Sequence, residues 1–417
     1  MYRMTEQGAM SQSRRPYRVS RPRHIIAIAG VVTLLATVVA CTSSGGTDSP
    51  GTNGGAGGGG GGGDGGTPAS VVAAAKAVVE KAYGTGYDGE PPSTGPKAQS
   101  GKKVWYISCG QQAASCSEQA TAFNEAGKIL GWTVTVGDSK LDSAVEASLV
   151  RQAVAAKADG IAINAFDCNK GKSVLEAAKA AHIPVVNWNG TDCGPAGSPQ
   201  SLFTSSVKAR GSEDPKDWFS TWGTLMADYA IAALNGTGTI IFLHETTYST
   251  LLDTTAAYNA EIAKAPGIKV ISVPFTIGQI PNQTTPLIKS ALLANPKASA
   301  VQTEIDSLVA LGLLSAIKAG PNPDIPLFGA EGTAANLDYI RKGDQVESVV
   351  RLDVQSTWAQ ADQLNRLFAG ESPADMPDEG SGFQIVDKEH NLPSASGVPY
   401  QAPVDYEAAY TKVWTGQ

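Results

Sequence analysis

The sequence predicts an α/β chain made of two similar halves, each a parallel sheet with helices on both faces. Three observations predict it. From Lys102 onward, apolar runs and amphipathic helical stretches alternate, the mark of βαβ units. The apolar runs are continuous Ile and Val rather than in–out alternations, as strands covered on both faces require. Beyond Gly101 roughly 320 residues remain, enough for two cores.

The chain opens on a different grammar. Residues Arg14 to Arg23 are rich in Arg, Ile25 to Ala40 are apolar, and the small residue Ala40 directly precedes Cys41. A glycine-flooded stretch runs on to Gly66. This order resembles a bacterial lipoprotein signal, in which Cys41 is acylated and becomes the mature N-terminus. The apolar run is too short and too one-sided in charge to favour a stable span. The alternative is an ordinary secretory signal with a chance cysteine. Residues 1–40 are thus expected to be signal, and 41–100 a lipid-anchored Gly-rich linker with one short helix at Val71–Tyr83. That helix is expected to brace the first domain, or else to act as a spacer. Pro91, Pro92 and Pro96 break structure before the domains begin.

The first half reads as strands at Val104–Ser108, Thr133–Val136, Gly160–Asn164 and Pro184–Trp188. Helices fall between them at Glu118–Leu130, Ser143–Ala156 and Lys172–Ala181. A long helix, Trp218–Leu234, leads into the second half. Its strands are expected at Thr239–Leu243, Lys269–Val273, Ala300–Thr303, Pro326–Gly329 and Glu347–Leu352. Helices fill those gaps at Leu252–Lys264, Thr285–Ala294, Ser307–Lys318 and Ala335–Lys342. A helix at Trp358–Phe368 precedes a Pro- and acid-rich tail ending in Tyr406–Trp414.

Charge and cysteines narrow the function. The net charge is −7, and the segment before Cys41 carries six Arg against one Glu, so the remainder is more acidic still. An acidic chain lacks the basic face that nucleic acid requires, and offers anionic lipid nothing. Cys109, Cys116, Cys168 and Cys193 form an even set in an oxidising compartment, so two disulfides are expected. Of the three pairings, Cys109–Cys116 with Cys168–Cys193 is favoured, because each closes a short loop after a strand. A zinc site is the weaker rival, since no C-x-x-C spacing occurs and His182, His244 and His390 are scattered.

Ligands of parallel sheets bind beyond the carboxyl ends of the strands. Those ends carry Gln111, Gln112 and Ser115, then Phe166 and Asp167, then Asn187, Trp188 and Asn189. In the second half they carry Glu245 to Tyr248, Gln279, Glu304 with Asp306, Glu331, and Asp353. Amides and carboxylates fork to paired hydroxyls, and aromatic faces cover ring C–H groups, so the set suits a neutral polyol such as a sugar. Many of these residues serve equally well as loop polar groups or helix caps. Motifs for a serine nucleophile, a zinc protease or a P-loop are absent. Gly329-Ala330-Glu331-Gly332-Thr333 could cradle phosphate at a helix start, but Glu331 would repel it. Glu304 and Asp306 could form an acid/base pair, with ligand binding or capping as the blander reading. No metal or cofactor is expected.

Several segments resemble the ribose/galactose-type (type 1) periplasmic binding proteins. They are Lys102–Ser108, Ile129–Trp132, Ala158–Ile163, Ala180–Val186 with its Ile-Pro-Val-Val step, and Pro326–Gly332 beside the family's G-F-D-G. The Cys-bearing loops and Trp-rich C-terminal half look like the actinobacterial lipoprotein branch. The resemblance implies two Rossmann-like lobes joined by three hinge crossovers, with ligand in the cleft. It places the N-terminal lobe at 101–217 and 354–370, and the C-terminal lobe and tail at 218–353 and 371–417. It assigns Asn189 and Glu331 to the family's binding acids and Asp306 to the polar residue of the preceding strand. Ser115 and Cys116 stand where ribose binders have aromatics, Thr254 where sugar binders usually have Arg, and Gly190 where ribose binders have another Arg. Trp188, Trp222 and Trp358 are candidate replacement stacking faces, or core.

The expected function is a lipid-anchored, monomeric, extracytoplasmic solute-binding protein, not an enzyme. It would deliver a monosaccharide or polyol to an ABC permease and its ATPase. A sensory receptor of the same fold is the second reading, and an extracytoplasmic enzyme using Glu304 and Asp306 the third. A repressor is excluded by the signal and by the lack of a helix-turn-helix.

Overall fold

A computed structural model describes residues 67–417 apart from 196, 213 and 281. The signal, Cys41 and most of the linker therefore lie outside the described residues. Helix α1 (Ala69–Tyr83) comes first. The first lobe runs β1 (Lys103–Ser108), α2 (Ala114–Ile129), β2 (Thr133–Asp138), α3 (Ser143–Ala155), β3 (Gly160–Asn164), α4 (Lys172–Ala180), β4 (Val185–Trp188) and β5 (Ser205–Ser206). The second runs α5 (Pro215–Ala233), β6 (Gly238–Glu245), α6 (Ser249–Ile262), β7 (Ile268–Phe275), α7 (Thr284–Ala294), β8 (Ala300–Thr303), α8 (Leu314–Lys318), β9 (Leu327–Gly329), α9 (Ala334–Lys342) and β10 (Glu347–Arg351). Then come α10 (Asp353–Phe368), β11 (Phe383–Asp387) and α11 (Tyr406–Thr415).

The first sheet has the order β2-β1-β3-β4-β5, all parallel. The second has the order β11-β10-β9-β8-β6-β7, parallel except for β11, which runs antiparallel to β10. In each sheet the order reverses once, between β1 and β3 in the first and between β6 and β8 in the second. Such switch points open a crevice at the carboxyl ends of the strands. Local chemistry sets the helix starts. Asp142 caps α3 by accepting from the Ala144 and Val145 N–H groups, and Asp214 with Pro215 opens α5.

Most expected elements stand within a few residues of their places. β5 and β11 went unread. β5 is two serines, and β11 lies inside the tail. The tail helix also departs from expectation: α11 packs on α10 of the first lobe, not on the second. Trp414 stacks on Trp358 at 5.6 Å, and its indole N–H donates to Asp362 at 2.7 Å. Helix α1 lies not on the first domain but on α5 and β11 of the second lobe. Segments 84–102 and 388–405 therefore pass between lobes as well, adding two connections to the three that the resemblance implied. At the hinge, residue 208 bridges residue 378 in parallel, and the Arg210 N–H donates to the Ser381 carbonyl.

Both disulfides form in the favoured pairing, Cys109–Cys116 and Cys168–Cys193. Cys168 and Cys193 lie beside Asp192, but their sulfurs are joined, which removes the thiolates a zinc ion would need. Among the described residues no helix is long and apolar enough to cross a membrane.

Candidate functional site

The two switch points face one another, and between them lies a cleft whose empty space, open solvent included, is about 550 Å³. The loop after β1 supplies Cys109 and Ala113 and the first turn of α2 supplies Ser115 and Cys116, while the turns after β3 and β4 supply Ala165 and Asn189. The second lobe supplies Tyr248 and Thr250 after β6, Ile277 after β7, Ile305 after β8, Glu331 after β9 and Arg351 at the end of β10. Ala165 and Asn189 both have left-handed backbones, φ 60° and 61°. Asn tolerates that conformation and Ala does not, so Ala165 is locally strained where the chain turns sharply at the cavity wall.

One polar cluster reaches the cavity. Arg351 pairs with Glu331 at 2.8 Å and with Asp353 at 3.1 Å. Asp353 also accepts from the Trp188 indole at 3.1 Å and the Asn189 amide at 3.4 Å. The Arg351 guanidinium lies over the Trp222 ring at 4.3 Å and the Phe219 ring at 5.2 Å, a cation–π seat that fixes it. Three buried polar atoms of the cluster lack a hydrogen-bond partner: Asn189 Oδ1, Arg351 Nε and Asp353 Oδ2, the last meeting Arg351 as an ion pair. Burial pushes the Glu331 carboxyl up to about 7 against the pull of Arg351, with Asp306 and Asp353 adding to the rise. A second, smaller cavity lies on the other side of Arg351, where Glu118, Gln355 and Tyr400 join the lining.

The lobes are held together around the cavity. Ser249 N–H and Oγ–H donate to Asp167 Oδ2 at 3.1 and 3.0 Å. Lys170 donates to the Thr247 carbonyl at 2.7 Å and lies over the Tyr248 ring at 4.2 Å. Elsewhere the Ala114 N–H donates to Ser307 Oγ at 3.1 Å, the Ala334 N–H to Glu118 at 3.0 Å, and Thr250 Oγ to the Asn189 carbonyl at 3.3 Å.

Of the residues singled out by sequence, Ser115, Asn189, Tyr248 and Glu331 meet at the main cavity, and Asp353 adjoins it through Arg351. The others lie elsewhere. Asp167 is a cross-lobe contact. Trp188 is fully buried, edge-on to Trp218. Thr254 is buried in α6, its hydroxyl donating to the Phe219 and Thr250 carbonyls. A Cβ on Gly223 of α5 would come within 2.2 Å of the Thr254 carbonyl, so the two helices touch there and leave no room for Arg. Gly190 is likewise closed to a side chain, since a Cβ would meet the Phe166 carbonyl oxygen at 2.3 Å. Gln111 is exposed and donates to Ser108 Oγ at 2.7 Å.

Asp306 accepts from the N–H groups of Ala330, Gly332 and Thr333 at 2.9, 2.7 and 3.3 Å. Those are the amides a phosphate would have needed. Glu304 accepts from the Glu245 N–H and from Thr255, and burial raises its carboxyl well above the usual range. Both members of the supposed acid/base pair are thus bound internally. Trp222 donates to the Val349 carbonyl and Trp358 stacks in the α10–α11 core, so neither offers a face to the cavity. Arg351 and the apolar walls are not legible from strand-end polarity, because Arg351 lies inside the strand and the walls carry no polar groups. The signal was present: Arg351 ends an apolar run two residues before Asp353.

The model of the periplasmic binding protein domain family matches residues 110–372. The chain belongs to that family. Periplasmic binding proteins of type 1 share its architecture of two parallel-sheet lobes. The binding protein of an arabinose ABC transporter from Shewanella sp. ANA-3, bound to L-arabinofuranose, aligns at 20% identity with a TM-score of 0.58, over 69% of this chain and 92% of that one. An ABC transporter solute-binding protein from Actinobacillus succinogenes with bound D-allose gives 17% identity and 0.60, over 69% and 98%. Another from Mycobacterium smegmatis, with bound glycerol, gives 19% and 0.57, over 71% and 98%. At these identities the likeness is one of fold. No curated protein matches the chain in sequence.

Proposed function

We propose that the protein is an extracytoplasmic solute-binding component of an ABC importer, taking a sugar or small polyol between its lobes and releasing it as they open. Cys41 anchors it to the membrane by lipid, and it works as a monomer without cofactor or metal. The observation that carries the reading is the interlobe cavity itself, whose wall is shared by both lobes and holds two buried polar atoms without partners, Asn189 Oδ1 and Arg351 Nε. Buried polar atoms without partners are rare in folded proteins, and a bound ligand is one way to supply the partner. Family membership and the sugars and glycerol bound by structural neighbours support the same reading. The internal saturation of Glu304 and Asp306 argues against catalysis by that pair.

Thermal shift of the intact chain against sugars and polyols tests it. A solute at about a hundred times its Kd stabilises by about 2.7 kcal/mol, a melting rise of several degrees. Asn189→Ala and Glu331→Ala should abolish the rise while the unliganded protein still melts cooperatively. Unchanged affinity in both variants, or a response only to amino acids or nucleosides, would remove the reading.

A further inference from the structure

The charged and amide groups at the cavity form one connected cluster, Asn189–Asp353–Arg351–Glu331, while the hydroxyls of Ser115, Tyr248 and Thr250 lie outside it on the wall. Asp353 Oδ2 is held by the Arg351 ion pair alone, and the atoms with neither hydrogen bond nor ion pair are one acceptor, Asn189 Oδ1, and one donor, Arg351 Nε–H. A hydroxyl pair can satisfy both, donating to the first and accepting from the second. The rest of the wall is mostly apolar. On the first lobe, Leu141 and Ala165 pack with the Cys109–Cys116 disulfide, at the station where aromatic rings were missed in the sequence. On the second lobe, Phe219, Leu251, Ile277 and Ile305 face the space. A hydroxyl turned toward such a wall loses its water and gains no partner, whereas a methyl there gains contact. Charge discriminates too. Among the described residues Arg351 is the one cationic side chain lining the cavity, and its Nη2 is already divided between two carboxylates. A carboxylate on the solute would meet Glu331 and Asp353 without a free counter-charge.

We propose that the solute is uncharged and two-faced, with its recognised hydroxyls at one end and a hydrocarbon face, such as a methyl or ring C–H edge, against the disulfide and the aliphatic wall. This rests on the cavity being the solute site. It narrows the class from sugars in general to deoxy or otherwise C–H-rich polyols.

Titration calorimetry of the intact chain with matched pairs tests it: D-fucose against D-galactose, and L-rhamnose against L-mannose. Each pair differs by a methyl in place of a hydroxymethyl. At least one methyl-bearing member should bind at least about tenfold more tightly than its partner, and D-galacturonate at least about tenfold more weakly than D-galactose. Ile277→Asn, which offers the wall a polar partner, should narrow the preference of the pair. Binding in which hydroxymethyl sugars equal or exceed their methyl partners, or in which the uronate binds best, overturns this inference and leaves the sugar site standing. Binding by no member of the panel overturns both.

Discussion

Asp167 and Asp306 stand at matching stations, each three residues past the end of its strand, β3 in the first lobe and β8 in the second. Both are buried, at 1% and 0% exposure, and each carboxylate accepts four hydrogen bonds. What differs is where the donors live. Those of Asp306 all belong to its own lobe: Ala330, Gly332, Thr333 and Ser348. Those of Asp167 are divided, Thr191 on its own lobe and Ser249 at the start of α6 across the cleft. Helix α6 has no cap from its own chain neighbour Tyr248, so the first lobe supplies one. The same residue type at the same topological position therefore builds a wall in one lobe and closes a latch in the other. A strand-end carboxylate signals a need for donors, and the donors decide the role.

The largest effect should come from Asp306→Ala. It leaves three buried backbone N–H groups without an acceptor, a loss of about 3–5 kcal/mol. Glu331 lies between the freed Ala330 and Gly332 amides and should shift with them, although its Oε2 can still accept the backbone N–H of residue 306. Urea denaturation should show the full loss, and solute binding should disappear with it. A cost below about 1 kcal/mol would mean that water replaces the carboxylate, and the contrast with Asp167 would collapse.

Asp167→Ala should cost less, about 1–3 kcal/mol, and cost it differently. Hydrogen exchange of the intact chain separates the two. If the contact is a latch, the Ser249 amide and the remote Ala334 amide, which bonds to Glu118 across the lobes, should both exchange about tenfold faster. That factor corresponds to about 1.4 kcal/mol. Strand amides of β3 and β8 should keep their protection. Deprotection of Ser249 alone would reduce Asp167 to a local cap.

This contrast also explains how much could be read in advance. The Ile and Val runs of β1, β3, β4, β6 and β8 are buried throughout or nearly so, and burial on both faces is what such runs encode. The short polar β5 and the tail strand β11 carry no such code, because their place comes from pairing with β4 and β10. The disulfides were legible because each closes a loop after a strand. The place of Asn189 and Glu331 on the cavity wall was legible from their strand ends. Asp167, Asp306 and Thr254 stand where strand-end position or pattern pointed, but their partners here are protein donors and a neighbouring helix, which packing sets and sequence does not show. The apolar walls were invisible to a search for polar chemistry.

The smallest effect concerns Glu118, a third carboxylate at the interface, which crosses the lobes through a single donor, the Ala334 N–H. Burial pushes its carboxyl up to about 7, opposed by that N–H, with Asp306 and Asp353 adding to the rise. Unfolded, it would ionise near its ordinary 4.5. Between those values the folded protein holds more protons than the unfolded chain, so stability falls as the pH rises from about 5 to about 7. Glu331, Asp88 and Asp228, each raised to about 7 chiefly by burial, act in the same window and direction. The melting temperature of the unliganded protein should therefore decline across that range, and Glu118→Gln should flatten the decline without abolishing it. The glutamine keeps a carbonyl for the Ala334 N–H, so exchange at Ala334 should stay within about twofold of the parent, where Asp167→Ala raises it about tenfold. A pH profile unchanged by Glu118→Gln would mean that the carboxyl is ionised in the closed protein. Glu118 would then act as a charged latch across the cleft.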